Sequence, residues 1–233
     1  MKRICRYLPL FVVLLLSMPL IRAQSGFDIA VGFGAEQAKS TGTGLEGNVN
    51  SPNFFNTCTT SSSPTCVNTK ALSGFTMGVQ GNLMLWQHFG VGAEFTTQPA
   101  KQDYVIFPQS TVQAGGFNLQ SRATLYDFNG IFQPYKSKKA NIQLVGGIGG
   151  MNLKFYASGN YSDAVLGNQY YSQYYGSSNH FQAHGGLGVT IYLTEHVFLR
   201  PEFDVHWVHN LSQFGTNLVT SETVWLGYTL GSQ

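Results

Sequence analysis

The chain has 233 residues, with 13 Lys and Arg against 11 Asp and Glu, a formal net charge of +2. Charged residues make up only 10% of it, well below the roughly 25% of an ordinary soluble domain, while aromatics reach 14%. Four of the bases (Lys2, Arg3, Arg6 and Arg22) lie in the first 22 residues; without them nine bases face eleven acids, so no basic stripe remains to bind nucleic acid.

Those early bases frame an apolar run over 7–20, followed by Ile21-Arg22-Ala23. A charged start, an h-region of about 14 residues and a small residue at the exit are the marks of an export signal. The run is short for a spanning helix, which needs roughly 18–20 apolar residues. The expected division is therefore a signal over 1–23, cleaved after Ala23, and one domain over 24–233. Cys5 precedes the apolar run, where a lipidation cysteine does not belong. No long apolar run follows, so any membrane span has to be built from strands.

The first strand signal comes at once. Phe27, Ile29, Val31, Phe33 and Ala35 alternate with Asp28, Ala30, Gly32, Gly34 and Glu36, and a strand sends successive side chains to opposite faces. A polar stretch follows, in which Cys58 and Cys66 flank seven residues containing Pro64. In an oxidising compartment these two cysteines are expected to form a local disulfide; two thiols without a neighbouring His make a poor metal site. Alternation returns over 75–85, with Phe75, Met77, Val79, Leu83 and Leu85 on one side, and over 91–96. In 119–133 Tyr126, Phe128 and Phe132 are expected outside, with Asp127, Asn129 and Ile131 inside. In 141–156 Ile142, Leu144 and Ile148 share a face, but Met151, Leu153 and Phe155 have the other parity. A bulge at Gly149-Gly150 would reconcile them, because one extra residue flips the register.

Residues 181–193 alternate again, and 197–209 do so most clearly. Leu199, Pro201, Phe203, Val205 and Trp207 form one face; Arg200, Glu202, Asp204 and His206 form the other. Val224, Leu226, Tyr228 and Leu230 mark a last strand. The expected fold class is all-β, an antiparallel up-and-down transmembrane barrel of about eight strands. Links near 87–89, 133–140 and 194–196 are short, and links near 37–71, 102–117, 158–179 and 210–219 are long and polar, as such a meander requires. One hairpin unit occurs twice: Leu85-Trp86-Gln87-His88 with Glu94-Phe95, and Leu193-Thr194-Glu195-His196 with Glu202-Phe203.

On these strand–turn–strand units, chiefly 193–207, together with the signal, the chain after residue 23 resembles a small bacterial outer-membrane β-barrel of the OmpA/OmpX-like class. The resemblance implies a place in the bacterial cell outer membrane, without a peptidoglycan-binding domain. It implies contact with outer-membrane lipid and lipopolysaccharide, and handling by the barrel-assembly machinery. Members of the class commonly end in an aromatic residue; here the end is Gly231-Ser232-Gln233, and Tyr228 or Leu230 would have to serve.

The candidate site is the inward charge set: Asp28, Glu36, Glu94, Asp127, Lys154, His184, Arg200, Glu202, Asp204 and His206. Charges collect inside by default, because one on the lipid face costs roughly 2–4 kcal/mol at the midplane. Arg200 is expected to be the hub of a buried ion-pair network. The expected role is structural or interactive: long loops presented to a surface ligand, with no catalysis, cofactor or metal. A narrow, porin-like channel is the alternative, although eight strands enclose an interior that side chains nearly fill. A lipid A-modifying enzyme is the third reading. None of the six His is followed two positions on by Ser, which departs from the His-x-Ser-Asn motif of lipid A deacylases. His180, Asp163 and Ser178 stay open as a dispersed set of the palmitoyl-transferring kind. The tyrosines of 161–175 suit an adhesive surface, an aromatic girdle or packing within their own loop, and His88 and His196 read as turn residues.

Overall fold

The computed structural model describes residues 26–38, 44–46, 66–68, 72–107, 117–163, 165, 167–211 and 217–231. The signal, its cleavage point at Ala23, and Cys58 lie outside them. The strands are β1 (Phe27–Ala38), β2 (Gly44–Glu46), β3 (Cys66–Asn68), β4 (Gly74–Met84), β5 (Phe89–Thr97), β6 (Gln102–Phe107), β7 (Phe117–Lys136), β8 (Ala140–Asp163), β9 (Gly167–Tyr192), β10 (Val197–Val208) and β11 (Leu218–Leu230).

All pairings are antiparallel. The sheet runs β5-β4-β1-β11-β10-β9-β8-β7, and β5 pairs back onto β7 to close it. β5 takes the lower part of β7, from Phe89↔Phe132 to Thr97↔Thr124. β6 takes the upper part, from Gln102↔Ser121 to Phe107↔Phe117. They are two halves of one barrel strand, and Gln98 spans the break. Its N–H donates to the Ala123 carbonyl at 3.0 Å, and its side-chain oxygen accepts from the Ala123 N–H at 3.1 Å. The result is an eight-stranded ring, with β2 and β3 forming a separate small hairpin.

The outer surface is apolar. Ile29, Val79, Val91, Phe128, Ile148, Leu187, Phe203 and Leu226, one from each wall strand, are all exposed. On β9 the outward positions from Phe181 to Ile191 span ten residues. At about 3.3 Å per residue and the usual strand tilt this gives a band about 25 Å tall, the height of a bilayer's apolar core. Outward-facing charges among the described wall residues are Arg122, Lys154 and Glu222, all in the long-loop halves of their strands.

Two expectations need correction. No bulge occurs at Gly149-Gly150: the β7–β8 ladder is unbroken from Phe117↔Gly159 to Phe132↔Leu144. Met151, Leu153 and Phe155 keep their parity and point inward, where they are buried. The polarity of the lumen changes there, and the register does not. The supposed long link over 158–179 is also mostly strand. β8 and β9 stay paired to Asp163↔Gly167, where Gly167 takes a left-handed φ of 72°. Beyond the membrane neither face of a strand is forced to be greasy, so the ladder continues after the alternation has vanished.

The repeated hairpin unit acquires a mechanical meaning at the short-turn rim. The His88 carbonyl accepts from the Gln133 N–H at 2.8 Å, and His88 Nδ1 donates to the Gln133 carbonyl at 2.7 Å. The His196 carbonyl likewise accepts from the Thr229 N–H at 2.8 Å, and His196 Nδ1 donates to the Thr229 carbonyl at 3.1 Å. Each turn is thereby pinned to the end of the next strand. Replacing either His by Ala is expected to cost about 1 kcal/mol in urea unfolding of the detergent-folded protein, and the two losses should add because the sites are separate. Unchanged midpoints would remove the bracket from the account.

Candidate functional site in the barrel lumen

Period-two alternation aims every second side chain of all eight wall strands at one axis, so residues far apart in sequence stack into layers. At the short-turn end, Trp225 and Phe198 are buried together with Ala30. Trp225 lies over Gly32 and Phe198 over Gly227, where any Cβ would run into the rings. Beside them the Thr229 hydroxyl donates to Asp28 at 2.7 Å, and the Asn141 amide donates to the Tyr192 hydroxyl at 3.2 Å.

The next layer holds Arg200, fully buried. Its Nε lies 3.2 Å from Glu202 Oε2, and Nη1 donates to Gln143 Oε1 at 3.3 Å. The Asn82 amide, turned so that both its ends are satisfied, also accepts from Nη1 at 3.3 Å. Glu202 takes a further bond from Trp225 Nε1 at 3.2 Å. Glu94, half-buried, accepts from the Gln80 amide at 3.2 Å.

Above it sit Asp127, His184, His206 and Asp204. Gln182 Nε2 donates to both Asp127 oxygens, at 2.8 and 2.7 Å. His184 Nδ1 stands 3.2 Å from Asp127 Oδ1, and the His184 and His206 rings lie 4.9 Å apart. Asp127, His184 and His206 each bring a donor atom within 4.8 Å of the others.

An apolar cluster lies toward the long-loop end. Leu125, Met151, Leu153, Phe155, Val208 and Val219 are buried with Leu72 and Leu211 from the flanking links. Glu36 is buried at this end and accepts from Gln98 Nε2 at 3.1 Å.

Of the predicted inward set, Asp28, Glu36, Asp127, His184, Arg200, Glu202, Asp204 and His206 are buried. Lys154 is not: it is exposed between buried Leu153 and Phe155 and faces outward opposite Arg122. Only the expected bulge, which does not exist, would have turned it inward. Gln98, Gln143 and Gln182 carry much of the lumen's hydrogen bonding and are absent from the predicted set, since a neutral amide gives no signal in a charge pattern. Of the dispersed set, Ser178 and His180 do meet. His180 Nε2 is 2.8 Å from Ser178 Oγ, and His180 Nδ1 is 3.0 Å from the His209 carbonyl.

A closed antiparallel ring, greasy outside over the height of a bilayer and ionic within, is a transmembrane β-barrel. Only closure satisfies every strand's backbone in lipid, and the ring here is of the small, eight-stranded kind. No protein-family model matches it, and no curated protein matches it in sequence. Solved structures resemble it at low identity. OprG from Pseudomonas aeruginosa is 13% identical over 90% of this chain and 100% of that one, with a TM-score of 0.47. A major outer membrane protein from Thermus thermophilus is 10% identical over 88% and 99%, with a TM-score of 0.49. Ail, the attachment invasion locus protein of Yersinia pestis, crystallised with the heparin analogue sucrose octasulfate, is 11% identical over 88% and 99%, with a TM-score of 0.47.

Proposed function

We propose that the protein is a closed barrel whose task is to hold a recognition surface outside the outer membrane, with the short-turn rim in the periplasm. The observation that carries this reading is the filled lumen. Aromatic rings at one end, a buried ion pair in the middle and an apolar cluster at the other occupy much of the space inside the ring. The wall is extended only where it leaves the membrane. β8 and β9 run on as a paired hairpin to Asp163↔Gly167, and Tyr170, Tyr171 and Tyr174 are exposed on it. Tyrosine offers large contact area at low entropic cost, which suits a surface ligand.

The lipopolysaccharide leaflet is the natural neighbour of the hairpin's base. Arg122 and Lys154 face each other across β7 and β8, four residues above Tyr126 and Gly150. Lys101 lies over the Tyr156 ring at 4.1 Å and donates to Ser172 at 2.7 Å. Three cations just above the apolar belt are placed to meet lipid phosphate.

The test is conductance of the purified protein in planar bilayers, expected to be absent or small. A large, steady, ion-selective conductance would overturn the proposal in favour of a channel. An enzymatic reading has one observation of its own, the Ser178–His180 pair with its carbonyl-oriented ring. Acyl release from purified lipid A, lost in Ser178→Ala, would establish it instead.

A further inference from the structure

We infer that Asp127, His184 and His206 form a binding site for a divalent transition-metal ion of the zinc type, tying β7, β9 and β10 together inside the barrel. The donor set is two imidazoles and one carboxylate. Such a mixed nitrogen and oxygen set suits Zn2+, Co2+ or Ni2+ and is wrong for Ca2+ or Mg2+, which take oxygen.

Four features of the lumen point to a ligand there. The donor atoms already lie within 4.8 Å of one another; closing to the roughly 3.3 Å between ligands of a tetrahedral zinc site asks for small turns of the two rings. His206 is 3% exposed, yet its Nδ1 has no hydrogen-bonding partner among the described residues. Neither does Asp204 Oδ1 beside it, and a buried group left so costs stability. Acceptors also outnumber cations in this layer: the Asp127 and Asp204 carboxyls are buried there, and Arg200, the one buried Lys or Arg among the described residues, is paired with Glu202. A bound dication would offset part of that excess.

The surroundings also fit a built site. Gln182 holds the Asp127 carboxylate through both oxygens, and Ser221 Oγ lies 3.3 Å from His206 Nε2. Such outer contacts fix the orientation of metal ligands. Room for the group comes from glycine: a Cβ on Gly147 would stand 2.8 Å from His184 Cε1, and one on Gly149 about as close to Asp127. Three protein ligands leave a coordination position for water. No step of chemistry is assigned to the ion; its effect is to cross-link three strands around the lumen.

The experiment uses untagged, detergent-folded protein, passed over a chelator and then titrated with Zn2+, and with Co2+ for its visible spectrum. One equivalent of Zn2+ should be retained after desalting, Co2+ should give the bands of a nitrogen-ligated low-coordinate ion, and Zn2+ should raise the urea midpoint. His206→Ala and His184→Ala should weaken binding at least about 100-fold, beyond the loss typical of an outer-contact variant. His180→Ala, outside the cluster, should bind as wild type does. Asp127→Asn, close in shape, serves if an alanine variant does not fold, and should show the same loss. Wild-type protein that retains no Zn2+ and gives no Co2+ spectrum would overturn the inference, as would full binding by folded His184→Ala or His206→Ala.

Discussion

Replacing Arg200 by Ala is expected to destabilise the folded barrel by about 3–5 kcal/mol, the cost of leaving a buried charge without its partner. The stranded group is Glu202, whose Oε2 lies 3.2 Å from the guanidinium with both side chains fully buried. Its one remaining direct hydrogen-bond donor among the described residues is Trp225 Nε1. Gln143 and Asn82 lose a donor at the same time. The loss should appear as a lower urea midpoint in detergent or lipid. The double variant Arg200→Leu with Glu202→Leu should recover much of it, because an ion pair removed whole leaves no orphan. A midpoint within about 1 kcal/mol of wild type for Arg200→Ala would show that the pair is wet and dispensable. Conductance should stay low in both variants, since the apolar layer above does not depend on Arg200.

Phe128→Arg is the second large effect and probes the outer face. Phe128 is 70% exposed and pairs with Ala93 and Ile148, both outward. If water met this face, the substitution would be neutral or favourable. Facing lipid near the midplane, it should cost about 2–4 kcal/mol, read as reduced folding yield into bilayers and a lower urea midpoint there. Phe128→Leu should be nearly silent. An Arg variant as stable as wild type would contradict the position of the belt.

Legibility followed a simple physical line. Wherever lipid touched one face and polar lumen the other, as in 199–207, alternation was forced and the strand could be read directly. The register of Arg200 with Glu202 and Asp204 was readable for the same reason. It failed at Met151, Leu153 and Phe155, because the inner face there is apolar as well and parity no longer tracks polarity. That single misreading also put Lys154 on the wrong side. It failed again beyond residue 158, where tyrosine and serine on both faces carry no period although β8 and β9 remain paired. The interruption between β5 and β6 was invisible, since Gln98 replaces part of the ladder with its side chain.

Sequence by itself determined the class of fold, the approximate strand set and, Lys154 apart, which of the predicted charges avoid lipid. These follow from local periodicity, and a bilayer imposes that periodicity residue by residue. Tertiary structure alone decided what meets what inside. Asp127, His184 and His206 come from three strands, and Ser178 reaches His180 only because β9 runs further than its pattern implies. Closure of the ring through β5 and β7 sets the shear, and the shear sets which inward residues share a layer. No local pattern encodes that number.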